Sequence, residues 1–110
     1  MRIYLIRHGE TDYTTNKKYC GSSNPPLNKF GIKTANTLNK YFQDKTINKI
    51  YSSDLLRAID TTKIIFPGTR FIKTKTLREM NFGIFEGYDY KHLLKKYPSL
   101  YTNWVNNQNI

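Results

Sequence analysis

The first apolar run, Ile3-Tyr4-Leu5-Ile6, is continuous rather than alternating and stops abruptly at Arg7-His8-Gly9. β-prone side chains without alternation belong to strands covered on both faces, so the run predicts a fully buried parallel strand that opens into a loop. From Glu10 to Asn28 the chain turns polar, with Gly21, Ser22, Ser23, Asn24 and the pair Pro25-Pro26. Neither a helix interior nor a central strand accommodates that composition, so a long loop is predicted, and long loops in compact domains usually carry function. Apolar residues then recur at helical steps through Ile32, Ala35, Leu38 and Phe42, predicting a helix capped by Asn28 and ending near Asp44, with Gly31 a mild cost in its first turn. Lys49 to Ser52 reads as a short second strand. Ser53 or Asp54 caps a second predicted helix with inward positions Leu55, Leu56, Ile59, Thr62, Ile65 and Phe66, stopped by Pro67-Gly68. Phe71-Ile72 reads as a third short strand, Leu77 to Gly87 as a loop, and about Asp89 to Tyr97 as a last helix halted by Pro98. The Asn-rich tail from Asn103 to Ile110 carries almost no core-forming pattern.

Strand, helix, strand, helix, strand in that order implies an α/β class with a parallel sheet and right-handed crossovers. Ligands of such sheets bind where loops leave the carboxyl ends of strands, and both His8 and the segment after Tyr51 fall at such ends. With 110 residues the chain is long enough for one core and too short for two. The apolar run near the start is far too short for a signal peptide or a membrane span. Cys20 is the only cysteine, which excludes an internal disulfide and a multi-cysteine zinc site and points to a reducing cytoplasm. The net charge of +10 could serve nucleic acid, an anionic surface or a phosphorylated substrate. The thirteen lysines are scattered with no run longer than two, which favours solvated faces and a general pull on anionic substrates over nucleic-acid binding.

Arg7-His8-Gly9-Glu10-Thr11 places a guanidinium, an imidazole and a permissive glycine at the mouth of a strand. Neutral histidine is a competent covalent nucleophile, and arginine can grip phosphoryl oxygens with two donors. An isolated Arg-His pair is more often only a histidine with a charged neighbour, so the wider pattern has to decide. Leu5-Ile6-Arg7-His8-Gly9-Glu10-Thr11 resembles the signature of the histidine phosphatase superfamily, also called the phosphoglycerate mutase-like family. Tyr19-Cys20-Gly21 with Pro26-Leu27 and Gly31 resembles the family's loop into its first helix. Tyr51-Ser52-Ser53-Asp54-Leu55-Leu56-Arg57-Ala58 resembles its second signature, and Leu77-Arg78-Glu79 with Phe82-Gly83 and Glu86-Gly87 matches in order and spacing.

The resemblance implies the three-layer, parallel-sheet phosphoglycerate mutase-like fold and a metal-independent phosphomonoesterase of small phosphorylated metabolites, with no cofactor. It implies that His8 attacks phosphorus to form a phosphohistidine and that Arg7 and Arg57 bind the phosphoryl oxygens, with Thr14 and Gly21 also at the phosphate site. Two arginines around one imidazole suit phosphoryl transfer, which asks a protein mainly for positioning and charge stabilisation. Glu79 resembles the general acid; otherwise it is a loop carboxylate paired with Arg78. Glu10 and Glu86 read as structural, orienting neighbours through hydrogen bonds. His92 reads as a surface residue, and Cys20 needs no thiol chemistry.

The departures shape the expectation too. Thr14 stands where the family often has a phosphate-contacting asparagine, so that contact falls to the Thr14 hydroxyl, to nearby Asn16 or to nothing. Phe82 and Met80-Asn81 look more like the phosphatase branch than the glycerate mutases, and the Tyr-Cys-Gly and Pro-Leu loop is similar to that of α-ribazole phosphatases. No His-Gly pair follows His92, whereas family members carry a second catalytic histidine on a later strand lying beside the first. Residues 1–110 therefore read as the N-terminal portion of a single domain, with a missing C-terminal half or a partner completing the sheet, the first being favoured. A catalytically inactive, basic α/β module that binds phosphate groups is the alternative function, because losing one preorganised phosphate donor costs about a hundred- to a thousand-fold in rate.

Overall fold

The computed structural model describes residues 1–108; Asn109 and Ile110 of the predicted tail lie outside them. Five helices and two strands follow one another as α1 (Asp12–Thr15), α2 (Lys29–Phe42), β1 (Tyr51–Ser53), α3 (Leu56–Ile65), β2 (Ile72–Thr74), α4 (Tyr90–Lys96) and α5 (Pro98–Asn106). Short 3-10 turns at Lys75–Leu77 and Gly83–Phe85 lie between β2 and α4. The class is α/β with a parallel sheet, β1 pairing β2 in the register Tyr51 to Ile72, Ser52 to Lys73 and Ser53 to Thr74.

The predicted first strand is corrected. Among the described residues Ile3 to Ile6 forms no ladder, and Ile3 and Leu5 are 69% and 93% exposed. A continuous apolar run signals surface that favours burial but does not specify which neighbour covers it. Here only Tyr4 finds one, its ring meeting Phe42 edge-on at 5.1 Å between centroids.

Asn28 caps α2 as expected, its Oδ1 accepting from the Gly31 N–H at 3.0 Å. The buried stripe is Gly31, Ala35 and Phe42, with Ile32 turned outward. Gly31 faces inward because the chain entering the site passes against it: a Cβ there would come within 2.3 Å of the Glu10 carbonyl oxygen. Ala35, Phe42 and Ile65 form one core cluster between α2 and α3, and Tyr4, Leu38, Ile47, Ile64 and Phe66 pack on it.

The predicted loop from Glu10 to Asn28 contains α1, closed by a reciprocal pair in which Thr11 and Thr14 each bond the other's backbone N–H. At the start of α3 neither Ser53 nor Asp54 is the cap. Leu55 occupies that position, and the Leu56 N–H is taken by Asn24 Oδ1 at 2.7 Å from the long loop. Pro98 ends α4 by opening α5, where a missing N–H matters least. The tail is likewise corrected: α5 carries Tyr101 and Trp104 into a second core with Phe85 and Leu93, joined by Tyr19, Phe82, Tyr88 and Tyr97.

Candidate active site

The segment after Ile6 carries His8 between two elements. Gly9 sits against α2, where an added Cβ would lie 2.7 Å from the Gly31 carbonyl oxygen. On the other side the Gly9 N–H donates to Thr61 Oγ1 of α3 at 3.0 Å. His8 itself is half-buried, and both ring nitrogens are engaged. Nδ1 meets the Gly9 carbonyl oxygen at 2.7 Å, and Nε2 meets Arg57 Nε at 3.2 Å.

Those two partners determine the proton. A carbonyl can only accept, so Nδ1 carries the hydrogen; a guanidinium can only donate, so Nε2 offers its lone pair. The ring is thus the neutral Nδ1–H tautomer. Its electrostatics agree: burial depresses the His8 pKa below the ordinary 6.5, helped by Arg57 and Arg7 and opposed by the Gly9 hydrogen bond and by Glu79. Nε2, whose lone pair accepts from Arg57, is the ring nitrogen that can form a bond once that contact yields.

Arg57 is 1% exposed, not a surface helix arginine. Its remaining donors meet the backbone carbonyls of the long loop: Nη1 to Ser23 at 2.8 Å, and Nη2 to Gly21 at 2.7 Å and Cys20 at 3.3 Å. A buried charge requires such compensation, and the loop wraps α3's first turn to supply it. Arg7, exposed, lines an open cleft of about 210 Å3 together with His8, Gly9, Glu10, Thr14 and Thr34.

The other predicted site residues are placed as follows. Thr14 lines the cleft, but its hydroxyl is engaged within α1, accepting from the Thr11 N–H at 2.8 Å and donating to the Thr11 carbonyl at 3.1 Å. The Gly21 N–H is directed to the Glu86 carboxylate, at 2.9 and 3.1 Å from its two oxygens. Glu79 is exposed, and its Oε1 accepts from the Met80 N–H at 2.9 Å. It is not paired with Arg78, which grips Asp54 through two bonds of 2.6 and 2.7 Å. Glu86 accepts hydrogen bonds from four neighbours, whereas the Glu10 carboxylate makes no hydrogen bond among the described residues. His92 is exposed and pairs with Asp89 at 2.7 Å. Thr61 and Thr34 were missed by sequence reasoning. Thr61 follows Arg57 by one helical turn, a spacing that could have found it.

A sequence profile for the histidine phosphatase superfamily (branch 1) matches residues 3–110. The chain belongs to that superfamily. Among curated relatives it is 32% identical over 108 residues to "Putative phosphoserine phosphatase 2" of Hydrogenobacter thermophilus, a match covering 96% of this chain and 53% of the relative. Among solved structures the α-ribazole phosphatase from Shigella flexneri superposes with a TM-score of 0.87 at 29% identity, covering 93% of this chain and 52% of that one. The phosphoserine phosphatase of Entamoeba histolytica in complex with 3-phosphoglyceric acid superposes with a TM-score of 0.79 at 26% identity, covering 93% and 50%. The fold is therefore phosphoglycerate mutase-like, and the chain spans about half the length of these superfamily members.

Proposed function

We propose that the chain carries the nucleophile of a phosphomonoester hydrolase acting on small phosphorylated metabolites through a phosphohistidine at His8. One observation carries this reading: His8 is held neutral, with the Nε2 lone pair fixed by partners on both sides and Arg7 at the same cleft.

The lone pair of His8 Nε2 attacks phosphorus, the N–P bond forms, and the ester P–O bond breaks. Glu79 gives its proton to the leaving alkoxide. Water then attacks phosphorus, Glu79 takes a proton from it, the N–P bond breaks, and inorganic phosphate and free His8 result. The 3.2 Å contact from Arg57 Nε is long enough to yield as the N–P bond forms, its N–H passing to a phosphoryl oxygen while Arg7 holds another. Carboxylic acid, imidazole and guanidinium supply every proton and charge in this scheme, so a chelator leaves turnover unchanged. A small phosphomonoester is the substrate class, since relatives include a phosphoserine phosphatase and an α-ribazole phosphatase. A reducing cytoplasm suits a chain whose single cysteine is free; among the described residues no helix is long and apolar enough to cross a membrane.

The test is a rapid quench with a radiolabelled phosphomonoester such as phosphoserine. Wild type should acquire label that is labile in acid and stable in alkali, and His8→Ala should lose both label and turnover. Because the His8 pKa is depressed, its imidazole stays unprotonated below pH 6.5, and the acid limb of kcat/KM should lie beneath that value. Label persisting in His8→Ala would sink the proposal. Binding of inorganic phosphate with neither label nor turnover would favour an inactive phosphate-binding module, a reading supported by Arg7 standing at the cleft while Arg57 is engaged with three loop carbonyls.

A further inference from the structure

Thr61 lies outside every motif read from the sequence, yet it is 4% exposed and bonded in two directions. Its hydroxyl donates to the Arg57 carbonyl at 2.7 Å and accepts from the Gly9 N–H at 3.0 Å. A hydroxyl has one hydrogen, so directing it to Arg57 leaves a lone pair for Gly9. Helical threonines often bond back to a carbonyl four residues earlier with no wider consequence. Thr34, Thr37 and Thr62 do so here, and none of their hydroxyls accepts from another segment among the described residues. Thr61 differs in being buried and in receiving an N–H from the residue that follows His8.

Gly9 passes the constraint on. Its N–H is held by Thr61, its α-carbon is pressed against Gly31, and its carbonyl accepts the Nδ1 proton of His8. The same helical turn reaches the other ring nitrogen directly through the Arg57 side chain. One turn of α3 therefore governs both nitrogens of the imidazole, Nε2 by contact and Nδ1 by way of the Gly9 backbone.

We propose that Thr61 is a positioning residue which, through Gly9, holds His8 in its Nδ1–H tautomer with Nε2 presented for phosphoryl transfer, an inference that rests on the function proposed above. Without the hydroxyl, the Gly9 N–H is buried without a partner. Lacking a Cβ, Gly9 can change its backbone torsions so that the N–H reaches another acceptor, and the carbonyl beyond its α-carbon turns with them. Its carbonyl then leaves Nδ1, only the Arg57 contact at Nε2 still favours the Nδ1–H tautomer, and the fraction of imidazole that becomes protonated at Nε2 cannot attack.

Two readouts test this on the whole chain. Heteronuclear NMR of the imidazole nitrogens should find Nδ1–H in wild type and a tautomer mixture in Thr61→Val, a substitution of similar volume. Thr61→Val should lower kcat by about ten- to a hundred-fold, the range expected for a small misplacement of a reacting group, with KM changed far less. Thr61→Ser should restore both the tautomer and most of the rate. An Nε2–H imidazole in wild type overturns the proposal by itself, even if Thr61→Val does not fold. So does a folded Thr61→Val with unchanged tautomer and kcat, or a serine that fails to rescue. Because the NMR readout needs no turnover, a tautomer that follows Thr61 in a chain without activity would sustain the hydrogen-bond relay and overturn only the phosphatase reading.

Discussion

Glu86 joins two segments, one that follows Glu79 and one that seats Arg57. Its Oε1 accepts from the N–H groups of Gly21, Ser22 and Phe82 at 2.9, 2.8 and 3.2 Å, and its Oε2 accepts from Ser23 Oγ at 2.6 Å. Phe82 follows Glu79 closely, while the carbonyls of Cys20, Gly21 and Ser23 receive Arg57. The loop's peptide groups are thus oriented by an anion at their N–H side and a cation at their C=O side, and Arg57 is seated by a carboxylate it does not touch. Burial alone would push the Glu86 pKa up, but hydrogen bonds from Ser23, Gly21, Phe82 and Ser22 outweigh it and hold the pKa below the ordinary 4.5. The unfolded chain then binds this proton more tightly than the folded one. The stabilising contribution is complete above pH 4.5 and is lost as pH falls through the lower folded value. Glu86→Ala leaves several donors without an acceptor and should lower stability by about 1–3 kcal/mol in urea titrations at neutral pH. The difference between variant and wild type should shrink as the pH is taken below 4.5. An unchanged midpoint at neutral pH would mean that water replaces the carboxylate at no cost. The sequence reading of Glu86 as an orienting residue came from its place in a motif; the loop it clamps lies more than sixty residues earlier, which no local pattern could reveal.

Helix α2 is built around a close approach. Exposed or loosely packed helix interiors gain up to about 1 kcal/mol when Gly becomes Ala, because the backbone loses less entropy on folding. Gly31 should reverse that sign, since its added Cβ would meet the Glu10 carbonyl oxygen at 2.3 Å and the Glu10 nitrogen at 2.7 Å, both backbone atoms unable to move independently. Gly31→Ala is expected to lower the thermal midpoint and, by pushing on the segment that carries His8, to lower turnover as well. A raised midpoint would show that α2 can slide away from Glu10 freely. Gly31 looked like a mild helix penalty in the sequence because the partner imposing it is distant in the chain. In α3 apolar periodicity placed Ile65 inward correctly but pointed to Thr62 in the turn before it, whereas the residues that share the buried face with Ile65 are Arg57 and Thr61. Hydrophobic patterning misreads a helix whose inward face carries polar, functional side chains, and only the motif around Arg57 compensated for it. The cap of α2 was legible because Asn28 acts within its own helix; that of α3 was not, because Asn24 arrives from the loop. Helix α5 was missed because its polar Asn residues alternate with Tyr101 and Trp104, whose burial depends on the distant Tyr19 and Phe85.

At the scale of the whole molecule, the sheet and the N-terminal segment present apolar side chains outward. Ile3 and Leu5 alternate with Tyr4, so the ring of Tyr4 packs inward on Phe42 while its neighbours face away. Tyr51 and Ile72, paired across the two strands, are exposed as well. Parallel sheets are ordinarily covered on both faces, and apolar surface next to unpaired backbone is a template for association. Against that stands the net charge of +10, whose mutual repulsion between copies is strongest at low ionic strength. The two effects respond oppositely to salt. Screening removes the repulsion beyond about one Debye length, close to 10 Å at 0.1 M, while salt does not weaken apolar contact. The 110-residue chain should therefore be largely monomeric in dilute buffer and associate as salt rises, read by sedimentation velocity across a concentration series. Leu5→Lys, which places a charge at the most exposed residue of the Ile3 to Ile6 run, should suppress that association without altering the circular dichroism spectrum. If Leu5→Lys associates as readily as wild type, the driving surface lies elsewhere. If association falls with salt, it is electrostatic, and the exposed apolar residues have no part in it.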